Sequence, residues 1–281
     1  MRLLITGAAG MLGLDVAAAA ADDHEVFAAP RADLDITDPE ALAASVSHAR
    51  PDAVINCAAY TNVDLAERSI EAACAVNGDG AGNVARAAAA AGAWTIHVSS
   101  DYVFDGTKRQ PYLESDPVAP ASAYGRSKLA GERAVSRSAP GSHTIVRSSW
   151  LFGAGGPCFP ATIRRLAAER DELSVVDDQR GCPTFTGHLA RALLTVAQQR
   201  PIGIVHVAGS GDCTWFQFAQ EIVARSGSAA EVRPTTTAEM ARPAPRPAYS
   251  VLGTERAAEA PSLPHWRDGL AEYMTATVGM A

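Results

Sequence analysis

The sequence predicts an α/β fold, a doubly wound sheet of parallel strands with helices on both faces, followed by a smaller, interleaved C-terminal lobe. Three observations predict it. Short β-rich runs alternate with alanine-rich helical stretches through the first half of the chain, the rhythm of βαβ units. The strand candidates hold so few polar residues that they must be covered on both faces. A glycine-rich turn directly follows the first strand candidate and opens a helix.

Taken in order, the strand candidates are Arg2–Thr6, Glu25–Ala28, Ala53–Asn56, Trp94–Ser99 and Thr144–Arg147. The helix candidates between them are Met11–Ala21, Pro39–His48, Glu71–Ala91 and Ala123–Arg137. The second helix carries Asp38 as N-cap and Pro39 at its first position, where a missing N–H costs nothing. The alanine runs Ala17–Ala21 and Ala87–Ala91 favour helix and let it lie close to a sheet. After about Trp150 glycine and proline become denser, and the apolar runs Leu173–Val176 and Gly203–Val207 are separated by longer irregular segments. We therefore expect a dinucleotide-binding domain over residues 1–150 and a mainly substrate-binding lobe over 151–281, some segments of which return to the first domain. The segment Pro234–Pro247 is too rich in proline to be one helix and is expected to cross the surface or line a cleft.

Composition narrows the function. A chain of 281 residues that is 47% hydrophobic and 20% charged is an ordinary globular sequence, which excludes disorder and fibrous folds. The net charge of −7, without a block of like charges, argues against a nucleic-acid surface. Cysteines 57, 74, 158, 182 and 213 are odd in number and lack ligand spacing. They read as reduced cytoplasmic thiols, not as disulfides or zinc ligands. No run approaches the roughly 20 apolar residues of a membrane helix, so neither a membrane span nor a secreted leader is expected.

Three constellations could carry chemistry. The turn Gly7-Ala8-Ala9-Gly10-Met11-Leu12-Gly13 lets the backbone approach a pyrophosphate while the following helix offers free N–H groups, so a dinucleotide is the natural ligand of a Rossmann-type domain. At the end of the second strand stands Arg31, where an NAD-selective site has an acid. An arginine suits a 2′-phosphate and favours NADPH, whereas Asp33 and Asp35 leave NADH open; alternatively Arg31 is a solvated loop charge. The second constellation is Tyr124 and Lys128, four apart and so on one helix face. A phenol with a pKa of about 10 needs a neighbouring cation to work near neutrality, and Lys128 supplies one. The third is Ser100, just past the fourth strand, where open α/β sheets bind ligands. Its hydroxyl could hold a substrate carbonyl while Tyr124 protonates it, or merely cap its own turn.

Together these elements resemble the extended short-chain dehydrogenase/reductase superfamily. The segments Leu34–Asp38, Asn56–Asp64, Ser100–Gly106, Arg147–Gly153 and Val176–Thr184, with Ala241-Arg242-Pro243, Ser250-Val251-Leu252 and Trp266, look like the dTDP-4-dehydrorhamnose reductase family, so the resemblance covers nearly the whole chain. It implies catalysis by Ser100, Tyr124 and Lys128. It implies cofactor contacts from Gly7, Gly10, Met11, Leu12 and Gly13, from Asp35 and Ile36 at the adenine, and from Ala58, Ala59, Tyr60 and Thr61. It also implies that Ser100, Asp101, Tyr124 and Trp150 hold a dTDP-sugar, the 4-pro-S hydride of NADPH reducing its C4 ketone. Related dehydratases carry Thr-Asp-Glu where this chain has Ser100-Asp101-Tyr102, which weakens that reading. The chain departs from the family at Pro157-Cys158-Phe159, where Asn-Asn-Phe is usual. A Mg²⁺-bridged dimer of some members matches here only at Asp15, with Gly187 and Arg267 at the other two places. No metal and no metal-bridged homodimer is therefore expected. Arg164, Arg165, Arg242, Arg246 and Lys108 are available for a substrate diphosphate. The rivals are a ketoreductase or epimerase for another nucleotide sugar, and a non-catalytic NADP-binding regulatory subunit.

Overall fold

A computed structural model describes residues 1–278; residues 279–281, the end of the expected C-terminal lobe, lie outside the described residues. The first half runs β1 (Arg2–Thr6), α1 (Met11–Ala20), β2 (Glu25–Ala29), α2 (Pro39–Ala49), β3 (Ala53–Asn56), α3 (Val63–Ala66), α4 (Ile70–Cys74), a π-helical segment (Ala75–Gly80), α5 (Ala81–Ala90), β4 (Trp94–Ser100), α6 (Ala123–Ser138) and β5 (His143–Ser148). The second half adds β6 (Leu151–Phe152), α7 (Phe159–Glu169), β7 (Glu172–Val176), β8 (Arg180–Gly181), β9 (Thr184–Phe185), α8 (Thr186–Gln199), β10 (Gly203–His206), β11 (Cys213–Thr214), α9 (Trp215–Ser226), β12 (Glu231–Thr235), α10 (Thr237–Met240) and α11 (Trp266–Val278).

The main sheet has the order β10-β5-β4-β3-β1-β2, and every pairing within it is parallel. Its strands bury both faces because successive side chains point to opposite sides. Leu3, Ile5, Ile55 and Val146 pack toward α1 and α8, whereas Leu4 and Val54 pack toward α2 and α5. Chain order reverses between β1 and β3, which lie side by side. Such a switch point opens a crevice beyond the carboxyl ends of the strands. The glycine turn after β1 sits in it.

Two elements depart from the sequence expectation. The helix expected over 71–91 is interrupted: at Ala75–Gly80 the turns widen to π geometry. Asn77 explains it, since its carboxamide is drawn inward to accept from the Tyr60 N–H at 2.8 Å and to donate to the Tyr60 carbonyl at 3.0 Å. Gly78 and Gly80 add no bulk to the widened turn, a device common near functional sites. The segment 234–247 begins not as loop but as the end of β12, where Pro234 pairs with Val175. The two-stranded β12–β7 ribbon is an edge, the place where a strand tolerates proline.

Beyond residue 150 the chain builds three two-stranded ribbons, β11-β8, β12-β7 and β6-β9. Their helices α7, α9 and α11 enclose a second core around Phe152, Phe218, Ile222, Trp266 and Leu270. The run at Gly203–His206 instead returns to the main sheet beside β5, and α8 brings Leu189, Leu193 and Val196 onto the sheet face that α1 covers.

Candidate active site

At the switch point Gly7 adopts φ +68°, and a Cβ there would stand 2.6 Å from the Ala58 backbone. Only glycine lets β1 turn this tightly against the end of β3. Gly13 is equally constrained, because its Cβ would meet the Gly7 carbonyl at 2.3 Å. Gly10 is the N-cap of α1, no side chain caps that terminus, and its first turn holds no acidic residue. The first N–H groups of the helix, at Met11, Leu12 and Gly13, are thus offered to an anion, a cradle that fits a pyrophosphate. Asn56 shapes the opposite wall, its Oδ1 accepting from the Thr6 hydroxyl at 2.7 Å and from the Ala58 N–H at 3.2 Å. Ala59 and Tyr60 follow, half-buried, with Thr61 exposed beside them.

Arg31 lies at the far end of the crevice with its side chain 81% exposed, 3.6 Å from Asp35. The Thr37 N–H and hydroxyl hold the Asp35 carboxyl below its usual range, with Arg31 adding to the effect. Ile36 is buried under Gly80, and its carbonyl accepts from Asn83 at 3.3 Å.

At the other end stand the candidate reacting groups. Ser100 closes β4, and its Oγ donates to Asp101 at 2.9 Å and accepts from the Tyr102 N–H at 3.2 Å. Tyr124 lies in the first turn of α6, whose N-cap Ser122 accepts from Gly125 at 3.0 Å. The Tyr102 ring meets the Tyr124 ring edge-on, 5.4 Å between centroids. Contrary to the expectation that Lys128 would lower it, the Tyr124 phenol is pushed up to about 12 by burial and the Asp101 charge, with only the Ser100 hydroxyl pulling the other way; the Lys128 ammonium is engaged with a backbone carbonyl. Lys128 is only 2% exposed and donates to the Val98 carbonyl at 2.8 Å. Burial draws its ammonium down to about 8, against the charge of Glu132 one turn further along α6. Asp101 is buried too, and desolvation raises its carboxyl to about 6 despite the Ser250 and Ser100 hydroxyls beside it.

A buried polar network backs this end of the sheet. Arg147 donates to Glu132 through Nε at 2.9 Å and Nη2 at 2.8 Å, and the Ser99 hydroxyl donates to the same carboxylate at 2.6 Å. The guanidinium rests 5.0 Å above the Phe104 ring. Strand alternation sends Ser99 and Arg147 to this side and Ser100 and Ser148, their neighbours in register, to the other. Ser148 Oγ, Ser250 Oγ and Asp101 Oδ2 are buried without a hydrogen-bond partner among the described residues.

Trp150, half-buried, stands at the lobe side. One face of its indole lies flat on Trp215, with centroids 3.6 Å apart. Of the available cations, Arg246 grips Asp64 through two bonds of 3.0 Å, and Arg242 approaches the same carboxylate at 3.5 Å. The others are engaged elsewhere: Arg164 with Thr277, Arg165 with Glu169, Lys108 with Asp116. The Cys158 thiol sits in the second core, 3.5 Å from the Gly153 carbonyl. Among the described residues no group of His, Cys, Asp or Glu is arranged to hold a metal ion. Asp15 has a carboxyl raised by burial, opposed by Thr186 and Arg191.

The chain matches the family described as RmlD substrate binding domain over residues 1–278. It is 46% identical to the dTDP-4-dehydrorhamnose reductase of Streptomyces griseus, across 100% of this chain and 95% of that one. This chain belongs to the dTDP-4-dehydrorhamnose reductase family. A probable dTDP-4,6-dihydroxy-2-methyloxan-3-one 4-ketoreductase of Streptomyces antibioticus is 44% identical over 97% of this chain and 94% of its own length. Among solved structures, the dTDP-4-dehydrorhamnose reductase of Bacillus anthracis in complex with NADP superposes with a TM-score of 0.95. It shares 36% identity and covers 98% of this chain and 99% of that one.

The structure thus gathers Gly7, Gly10, Met11, Leu12, Gly13, Ala58, Ala59 and Tyr60 along one crevice, with Ser100, Asp101 and Tyr124 clustered beyond the end of β4. Sequence reading gave no role to Asn77, Glu132 or Trp215, nor to Ser148 and Ser250 within the segments that resemble the family. Only Asn77 carried a local signal, an Asn-Gly pair inside an otherwise helical run.

Proposed function

We propose that this protein is an NADPH-dependent reductase of the C4 ketone of a dTDP-6-deoxy-4-keto-hexose, dTDP-4-dehydro-L-rhamnose yielding dTDP-L-rhamnose. The observation that carries the reading is Tyr124. It stands in the first turn of α6 beside Ser100 at the carboxyl end of β4, where an open α/β sheet binds its ligand and a phenol can give its proton to a developing alkoxide. NADPH, when bound, supplies the hydride. The α1 N-terminus and the Gly7 turn would hold its pyrophosphate, Asp35 and Ile36 its adenine end, and Arg31 its 2′-phosphate. Ser100 donates a hydrogen bond to the substrate carbonyl. Tyr124 Oη delivers its proton to the C4 oxygen as the carbonyl π bond breaks and a new C4–H bond forms. Lys128, kept cationic below about pH 8, would stabilise the resulting phenolate and hold the nicotinamide ribose. Trp150 and Asp101 would hold the sugar nucleotide, and Arg242 and Arg246, gathered on Asp64, would meet its diphosphate.

Residues 151–281, apart from β10 and α8, form the substrate lobe in this reading. The five unpaired cysteines support a reducing, cytoplasmic setting, and no described helix is long and apolar enough to cross a membrane. Any homodimer forms without a metal bridge, since Gly187 and Arg267 supply no carboxylate. The similarity to a 4-ketoreductase for a different dTDP-sugar, nearly equal in identity, favours a second reading in which another 4-keto sugar is the substrate. Loss of 340 nm absorbance with dTDP-4-dehydro-L-rhamnose and NADPH is the expected result. Turnover only with a different keto sugar selects the second reading, and turnover with neither rejects both.

A further inference from the structure

Trp150 has a backbone that its own sequence does not favour. Its φ is +48°, a region that bulky L-residues rarely enter and that persists only where the surroundings hold it. The Trp150 carbonyl accepts from the Thr184 N–H at 3.2 Å. Gly181 leaves room for the indole, since a Cβ there would stand 2.5 Å from Trp150 Cε2. Trp215 covers the ring with its plane tilted by only 4°. Two free aromatic rings prefer an offset or edge-on arrangement to near-coincident centroids, so the backbone positions impose this stack.

Trp215 is itself fixed. It opens α9, where the Thr214 hydroxyl accepts from the Gln217 N–H at 3.2 Å and the Gln217 side chain accepts from the Thr214 N–H at 3.0 Å. The same hydroxyl donates to Asp177, and Phe159 packs on Trp215 with centroids 4.5 Å apart. Gly181 and Cys213 face each other across the antiparallel β8–β11 ribbon, so one ribbon delivers both the glycine that admits the indole and the tryptophan that covers it.

We propose that Trp215 is a positioning residue for the sugar nucleotide. By stacking on Trp150 it locks the indole in its left-handed backbone geometry and turns the remaining face and edge toward the sugar. The inference rests on the reading of Trp150 as a sugar-nucleotide contact. Its test is a cycle of Trp150→Ala, Trp215→Leu and the double variant, with Trp215→Phe as the conservative control. Each is measured for KM and kcat with the keto sugar, for NADPH Kd and for its unfolding midpoint in urea; Leu keeps the position apolar while removing the ring that stacks on Trp150. Trp215→Leu is expected to raise KM about fivefold to tenfold with NADPH Kd unchanged. Trp215→Phe should recover most of that loss, and the double variant should be no worse than Trp150→Ala. A wild-type KM in Trp215→Leu, effects of the two single variants that multiply, or an equal loss of NADPH binding overturns the proposal. If Trp150→Ala binds the sugar normally, the reading of Trp150 falls first; if only Trp215→Leu does, the inference alone falls.

Discussion

The two walls of the site are built on different physics. On the sheet side, Ser100, Tyr124 and Lys128 are backed by the buried Glu132–Arg147 pair, in which charge is matched by charge and hydrogen bonds saturate the carboxylate. On the lobe side, Trp150 rests on Trp215 and on the space left by Gly181, with dispersion and shape in place of charge. A buried ion pair tolerates no loss of one partner, because the other is left uncompensated. An aromatic stack loses contact by degrees. In the proposed function the chemistry is thus mounted on the wall that cannot yield, and recognition on the wall that can be retuned.

That contrast can be broken most severely at Arg147. Arg147→Ala strands Glu132 at 4% side-chain exposure and is expected to cost about 3–5 kcal/mol of stability, read by urea unfolding. A loss under 1 kcal/mol would show that the polar wall is no stiffer than the aromatic one. Next is Tyr124→Phe, which keeps the ring and removes the proton. It should lower kcat by at least about 100-fold while NADPH Kd stays within about twofold, in steady-state kinetics and fluorescence titration.

Asp101 sharpens the comparison through pH. Its folded carboxyl is raised to about 6 from an ordinary 3.8, so the fold favours the neutral form. That contribution is complete below about pH 4 and is lost as pH rises through 6. Unfolding free energies of wild type and Asp101→Asn measured from pH 4 to 7 should therefore diverge, the wild type losing about 2–3 kcal/mol relative to the variant. Parallel curves would mean that the carboxylate is fully compensated. The smallest effect is expected at exposed Arg31: Arg31→Ala should shift the NADPH-to-NADH ratio of kcat/KM severalfold toward NADH, with an exposed pair contributing little to stability. An unchanged ratio removes Arg31 from cofactor choice.

Most of the sheet was legible because each strand and helix announces itself within a few residues. The unbroken apolar run Leu3–Ile5 within Arg2–Thr6, the Asp38-Pro39 start of α2 and the spacing of Tyr124 and Lys128 are local patterns. The lobe was less legible. Its strands are mostly two residues long, too short for any period to register. The break in the helix at Ala75–Gly80 escaped for another reason: it follows from a hydrogen bond between Asn77 and a residue 17 positions away.

By itself the sequence determined the βαβ rhythm, the glycine turn and the placing of Tyr124 and Lys128 on one face of a helix, since spacing along one helix or one turn is enough for that. Only the tertiary structure decided that Glu132 would meet Arg147, that Ser148 would stand in register beside Ser100, and that Trp215 would cover Trp150. Those pairs are joined across separate elements, and local periodicity states which face a residue takes but not what comes to meet it.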